Sequence, residues 1–220
     1  MFKKNQVKIS LAAPKIRILN KHFGNRKFKM LDVGAGNNSA SYIKSYLPSV
    51  EYYGLDKTKN YNNNNRDFNL MVDFYEIDLL SLRYEAIKDN YFDAIVATHV
   101  IEHLEAVQKP LELIYRKLKK GGLIYIEWPH PRSVKFPSMR NTLNFYDDPT
   151  HVRIYSTSEI KTQFESLGGQ VISSGTVINP LTAMLFPIIL AYRFFKRGYI
   201  HGPDFWYVFG FATHVLVKKL

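Results

Sequence analysis

Short apolar runs bounded by turn residues alternate along the chain with longer stretches of helical spacing. That alternation predicts repeated βα units around a mainly parallel sheet. Strands are predicted over 28–33, 50–55, 74–77, 91–98 and 123–128. A helix over 40–46 ends before Leu47-Pro48, because the residue preceding a proline avoids helical backbone. Leu111, Ile114, Tyr115 and Leu118 recur at helical spacing after Pro110, and Lys119-Lys120-Gly121-Gly122 reads as a basic last turn with a glycine stop. Ser156 and Glu159 form a capping box for a helix that runs to Leu167 and stops at Gly168-Gly169. Two further runs, 170–178 and 207–218, supply last strands that pair antiparallel at a sheet edge. The expected fold is therefore α/β and doubly wound, with a mainly parallel seven-stranded sheet and an antiparallel edge. Two connections stand out: a polar stretch, Asn62 to Asn65, expected to be mobile, and a long proline-containing loop over 128–153.

Composition narrows this picture. The 220 residues suit one domain, 1–220, and 46% of them are apolar, enough for a packed core. There are no cysteines, which excludes disulfides, thiolate metal sites and cysteine nucleophiles. Lys8 and Ser10 interrupt the apolar start, so no secretory signal is expected and the cytoplasm is the expected compartment.

The net charge of +11 is concentrated at one end. Residues 1–30 carry lysines and arginines from Lys3 to Lys29 and no Asp or Glu, and the rest is nearly neutral. Residues 1–27 thus read as a basic N-terminal arm, able to attract RNA, an anionic membrane or a phosphorylated substrate, or simply to form a solvated face.

A second biased segment spans 178–204, where only Thr182, Pro187 and Arg193 interrupt the apolar run from Leu181 to Phe195. A membrane span needs about 20 apolar residues, and Pro187 breaks this run. The open readings are a lid over an apolar acceptor, a dimer surface, an in-plane membrane contact and a core helix packed on the sheet.

Candidate chemistry clusters at the ends of the predicted strands. Leu31-Asp32-Val33-Gly34-Ala35-Gly36-Asn37-Asn38-Ser39 lies where the first strand hands over to a helix, the place where open α/β sheets bind nucleotides. Glycine there lets the backbone turn tightly and approach a ligand. Asp56 closes the second strand, where a carboxylate can accept hydrogen bonds from both hydroxyls of a ribose. NAD brings a pyrophosphate and disfavours nearby acid, so Asp32 favours an ammonium-bearing ligand. Position 39, the third glycine of the dinucleotide fingerprint, is Ser39.

From Phe28 to Ser174 the sequence resembles class I S-adenosylmethionine-dependent methyltransferases of the small-molecule type, with a Rossmann-like fold. The resemblance implies that Asp32, Gly34 and Gly36 hold the methionine part of S-adenosylmethionine, with Asn38 where the family often has a third glycine. It implies that Asp56 binds the ribose and that Ile77-Asp78-Leu79 places Asp78 and Leu79 at the adenine. The most specific stretch is Phe92 to Leu104. It implies Thr98 and His99 beside the sulfonium, with Glu102 and His103 opening the next helix and orienting the loop. Asp148 to Ser156 resembles the family stretch bordering the acceptor pocket, which makes His151 a candidate general base, with His99 a second.

The expected activity is methyl transfer to a small-molecule, lipid-like or glycan-intermediate acceptor by in-line displacement. Alternatives are docking to RNA or protein through the basic arm, a NAD-dependent oxidoreductase, and a non-catalytic relative that binds the cofactor. Ala97-Thr98-His99-Val100 stands where amino-methylating nucleic-acid enzymes of this fold carry Asn-Pro-Pro-Tyr or Asp-Pro-Pro-Tyr, which gives no strong nucleic-acid signal. No metal is expected, because adjacency in sequence makes Glu102 and His103 poor partners for a shared ion.

Overall fold

The computed structural model describes residues 9–59 and 61–220. Seven strands form one sheet: β1 (Phe28–Val33), β2 (Val50–Asp56), β3 (Asp73–Glu76), β4 (Phe92–Thr98), β5 (Leu118–Pro129), β6 (Gly169–Thr176) and β7 (Ala212–Lys219). Their spatial order is β3-β2-β1-β4-β5-β7-β6. The pairs β3–β2, β2–β1, β1–β4 and β4–β5 are parallel, whereas β7 runs antiparallel to both β5 and β6. The doubly wound sheet with an antiparallel edge is therefore present. The chain reverses from β1 outward in both directions, which opens a crevice at the carboxyl ends of β1 and β4.

Alternation along the strands builds a core on each face. Leu31, Val33, Ile95 and Ala97 point to one side, where they meet α4 (Gln108–Lys117) and α5 (Thr157–Ser166) through Leu111, Ile114, Ile160 and Phe164. Met30, Ala94 and Val96 point to the other, against α1 (Pro14–Phe23) and α2 (Ser39–Lys44) through Ile16, Leu19, Phe23, Ala40 and Ile43.

Several expectations change in the folded chain. Within the expected basic arm, residues 14–23 are a packed helix, because Ile16, Leu19 and Phe23 form an apolar stripe beneath the charged positions. The arm's first eight residues lie outside the described residues. Lys119 to Gly122 do not end a helix in solvent. The backbone is already extended at Leu118, and the segment bulges out of the β4–β5 ladder between the Phe92–Leu118 and Ala94–Leu123 pairs. Gly121 supplies the left-handed residue of that bulge. Glu102 and His103 do not open a helix either: Ile101–His103 is one tight turn ended by an extended Leu104, and α4 begins only at Gln108. The last strand starts at Ala212 rather than at 207, because Trp206–Phe209 forms a helical turn, α8, that Gly210 terminates with φ +69°.

The Asn62 to Asn65 stretch is held rather than loose. Asn64 caps α3 (Asn65–Leu70), and Asn62 and Asn64 donate from Nδ2 to Asn37 Oδ1 and Asn38 Oδ1, each at 2.7 Å. The long loop after β5 is organised by two short turns, Pro131–Lys135 and Phe145–Asp147.

The apolar insert forms α6 (Pro180–Met184) and α7 (Phe186–Arg197). No residue of α7 is buried, so the insert is not a core helix on the sheet. No helix among the described residues is long and apolar enough to cross a membrane.

Candidate active site

The crevice at the strand ends is a cavity of about 890 Å³, well within the range of small-molecule and cofactor sites. One end is framed by the loop after β1. Gly34 and Ala35 both donate backbone N–H groups to Leu55 O, at 2.8 and 3.1 Å, which ties the loop to β2. Gly34 has φ +79°, and a Cβ there would lie 2.6 Å from Val100 Cγ2. At Gly36 a Cβ would lie 2.5 Å from the Tyr61 ring and 2.9 Å from Tyr61 O. Asn37 and Asn38 carry the loop on with φ +54° and +58°, a conformation asparagine adopts more readily than most residues. Asn38 thus replaces the third glycine without closing the cleft.

Asp32 sits behind this loop, almost fully buried, and is not on the cavity wall. Its Oδ2 accepts the hydroxyls of Ser39 at 2.5 Å and Tyr52 at 2.6 Å, so the side chain braces the loop. Asp56 does face the cavity, at the end of β2. Burial pushes its carboxyl above the usual range, against the opposing backbone N–H groups of Lys57 and Thr58. Asp78 and Leu79 also line the wall, with Ile77 and Leu80 beside them. The Asp78 carboxylate is already engaged: Oδ1 accepts Leu80 N–H at 2.9 Å and Oδ2 pairs with Lys57 at 3.1 Å.

The other end is polar and aromatic. Thr98 closes β4, and its Oγ1 accepts a hydrogen bond from Lys15 Nζ at 3.1 Å. His99 has φ +56°, uncommon outside glycine. Its ring packs 4.8 Å from Trp206 and 6.0 Å from Phe211. His99 Nδ1 lies 3.1 Å from Glu102 Oε1 and Nε2 lies 3.7 Å from Glu127 Oε1. Burial opposes charge on this imidazole, but the hydrogen bond and charge of Glu102, with Glu127 behind, outweigh it and raise its pKa.

Glu127 is buried at the end of β5 and accepts the hydroxyl of Tyr125. His151 donates from Nδ1 to Phe145 O at 2.7 Å, which fixes the tautomer and leaves Nε2 a free lone pair. That nitrogen stands 3.8 Å from Asp148 Oδ2 and 3.9 Å from Glu102 Oε1. Burial alone would raise the Asp148 carboxyl, but hydrogen bonds from the Thr150 side chain and backbone hold it below its usual value.

Gly34, Gly36, Asp56, Asp78, Leu79, Thr98, His99 and His151 therefore share one cavity, and Asp32 supports it from behind. Glu102 is buried behind the wall, while His103 lies on it. Glu102 and His103, poor partners for an ion by their adjacency in sequence, gain a third potential ligand in the fold: the turn at Ile101–His103 and the loop at His151 bring a ligand atom from each of Glu102, His103 and His151 within 4.8 Å of the others.

Sequence reasoning missed Lys15, Glu127, Trp206 and Tyr207, all of which line the cavity. Glu127 had a signal, a lone carboxylate in the apolar run of β5, where an unpaired buried charge is costly. The other three had none: Lys15 reads as part of an arm, Tyr207 as the start of an edge strand, and Trp206 falls between that strand and the apolar segment.

A methyltransferase domain family matches residues 4–174. The chain belongs to this family. The match extends the resemblance toward the N-terminus, through α1. Similar solved structures share the fold. An S-adenosylmethionine-dependent methyltransferase from Archaeoglobus fulgidus is 20% identical, with 93% of each chain covered and a TM-score of 0.59. Haemonchus contortus phosphoethanolamine N-methyltransferase 2, solved with S-adenosyl-L-methionine, is 16% identical over 93% of this chain and 52% of that one, with a TM-score of 0.63. An S-adenosylmethionine-dependent methyltransferase from Mesorhizobium loti is 13% identical over 94% and 96% of the two chains, with a TM-score of 0.63. No curated protein matches the chain in sequence.

The similar structures are S-adenosylmethionine-dependent methyltransferases, and the cavity of this chain fits that molecule chemically. Asp56 offers a carboxylate for a diol, Ile77, Leu79 and Leu80 form an apolar wall for a flat base, and the loop at Gly34 and Gly36 leaves backbone accessible beside them.

Proposed function

We propose that the chain transfers a methyl group from S-adenosylmethionine to a small-molecule acceptor seated at the His99 and His151 end of the cavity. The observation that carries this reading is the single cavity with two chemically distinct ends. Asp56 takes the ribose hydroxyls, Leu79 and the backbone around Asp78 bound the adenine, and Gly34 and Gly36, braced by Asp32, frame the methionine part. When bound, the cofactor supplies an electrophilic methyl carbon on a sulfonium.

The chain's own contribution is positioning and charge control. Thr98, held by Lys15, and His99 lie at the junction of the two ends. Aligning an acceptor there supplies much of the rate, because a bimolecular displacement becomes effectively intramolecular. For a hydroxyl acceptor, His151 Nε2 is the free lone pair that can take the proton, with His99 as second base. Trp206, Tyr207 and Phe211 enclose this end and keep water out.

The test is calorimetric titration with S-adenosylmethionine, S-adenosylhomocysteine and NAD, with Asp56→Ala as the comparison. Micromolar binding of both adenosyl ligands, weakened at least about tenfold in the variant, is expected from the loss of charge-assisted hydrogen bonds. Binding of NAD alone would overturn the reading.

A peripheral contact with an anionic membrane accompanies this reading, supported by the surface of the insert. Met184, Ile188, Tyr192 and Phe195 are 71%, 70%, 64% and 85% exposed. The spacing of Ile188, Tyr192 and Phe195 places those three on one face of α7, Met184 ends α6 just before it, and Lys196 and Arg197 follow in the last turn of α7. Such a contact would bring a lipid-like acceptor to the cavity, whose wall includes Trp206 and Tyr207 of α8, the turn that follows the insert. Co-sedimentation with vesicles containing anionic lipid is expected, reduced by Ile188→Ser with Phe195→Ser. Equal recovery of the variant with the vesicles would count against the contact.

A further inference from the structure

Glu102 is fully buried, and its only ion-pair partners among the described residues are histidines, His99 and His151. No lysine or arginine pairs with it among those residues; Arg153, nearby in sequence to His151, is taken by Glu159 and by Glu105 O. Oε1 is met by His99 Nδ1, and Oε2 is buried with no hydrogen-bond partner. A buried carboxylate oxygen left in this state is costly unless a cation or proton completes it.

A second imidazole nitrogen, His151 Nε2, stands 3.9 Å from the same carboxylate at Oε1. His151 has its Nδ1 hydrogen held by Phe145 O, the outer-shell bond that aims the other nitrogen's lone pair at a metal. The His103 ring packs against that of His151 at a tilt of 56°, with centroids 5.0 Å apart. Its Nδ1 is 3.1 Å from Thr150 O and 3.0 Å from Thr150 Oγ1, and Thr150 is in turn fixed by Asp148. One ligand atom from each of Glu102, His103 and His151 lies within 4.8 Å of the other two. Ligands bound at about 2.1 Å to one ion stand roughly 3–3.5 Å apart, so side-chain shifts on the order of 1 Å close the set.

We infer that Glu102, His103 and His151 form a site for a first-row divalent transition-metal ion at the acceptor end of the cavity. Two imidazole nitrogens and one carboxylate oxygen suit Zn²⁺, Co²⁺, Fe²⁺ or Mn²⁺ and disfavour the all-oxygen preferences of Mg²⁺ and Ca²⁺. Three protein ligands leave coordination positions open, and His103 and His151 both face the cavity. Bound there, the ion occupies the His151 Nε2 lone pair, holds an oxygen of the acceptor and favours its deprotonated form, so that the acceptor's proton passes to His99 or to solvent rather than to His151. That use rests on the methyl-transfer reading; the ion site itself does not.

The experiment is titration of chelator-stripped full-length chain with Co²⁺, reading the visible d–d absorption, with a displacement titration by Zn²⁺. Saturable binding of a single ion per chain is expected for the natural sequence. Glu102→Gln and His151→Ala should each weaken it by about 10- to 100-fold or more, given that even outer-shell changes cost that much. His22→Ala, on α1 and outside the cluster, should bind like the natural chain. If the buried-site variants fail to fold by circular dichroism, His103→Ala on the cavity wall carries the same expectation. No saturable Co²⁺ binding, or equal affinity in the ligand variants and the natural chain, would overturn the inference. Titration with S-adenosylmethionine on the same samples separates this failure from failure of the methyl-transfer reading.

Discussion

Gly34→Ala tests whether the loop after β1 is held by backbone geometry and by packing against the turn after β4. At φ +79° a Cβ costs about 1–2 kcal/mol from left-handed backbone strain. The new Cβ would also stand 2.6 Å from Val100 Cγ2, an overpacking that costs about 1–3 kcal/mol. The two together predict a loss of about 2–5 kcal/mol. Val100→Ala removes the clashing methyl but leaves the strain, so the double variant separates the two contributions. Urea unfolding of the natural chain, both single variants and the double variant gives the coupling energy directly. A coupling of about 1 kcal/mol or more in the relieving direction is expected, with S-adenosylmethionine affinity partly restored in the double variant. Coupling below about 0.5 kcal/mol, or a single variant as stable as the natural chain, would refute the packing account.

Three further outcomes follow from other parts of the structure. Tyr155 is buried and its hydroxyl donates to Leu104 O at 2.6 Å, so Tyr155→Phe should destabilise the chain by about 1–3 kcal/mol in urea; an unchanged midpoint would show that the carbonyl finds another donor. Asn179 accepts Leu181 and Thr182 N–H at 3.1 and 3.2 Å, so Asn179→Ala should cost about 1 kcal/mol and speed hydrogen exchange in α6; unaltered exchange would count against the cap. Burial alone would raise the Asp204 carboxyl, but Arg197, the backbone N–H of His201 and Arg193 outweigh it and hold its pKa below the usual carboxylate value. A lowered folded pKa contributes stability above the unfolded value of about 3.9 and loses it as pH falls further. Thermal unfolding of the natural chain should therefore decline below about pH 4 more steeply than that of Asp204→Asn, and parallel curves would exclude Asp204 as a source of that decline.

Much of the fold and part of the site were determined by the sequence itself. Strand and helix periods are local properties, so Leu31 and Val33 against Met30, or Leu111 with Ile114 and Tyr115, reveal their elements without knowledge of neighbours. The ends of apolar runs also mark the ends of strands, which is why Gly34, Asp56 and Thr98 could be assigned to one edge of a sheet. Boundaries failed where tertiary contact overrode local pattern, as at Leu118, where pairing with Phe92 draws the chain into β5 before the glycines. The asparagines after Thr58 read as loose because polarity is local, whereas their partners, Ala35, Asn37 and Asn38, lie in another loop.

Only the tertiary structure decided what meets at the His99 and His151 end of the cavity. His103 and Thr150 are 47 residues apart, and Lys15 and Thr98 are 83 apart. Such meetings depend on the strand order β2-β1-β4-β5-β7, which hydrophobic periodicity does not encode. The same holds for the insert: its apolar residues suit a core or a surface equally. The face of the sheet was already covered by α4, α5, α1 and α2, which left α7 exposed. Composition fixes how much apolar surface a chain carries, and packing order fixes which part of it remains outside.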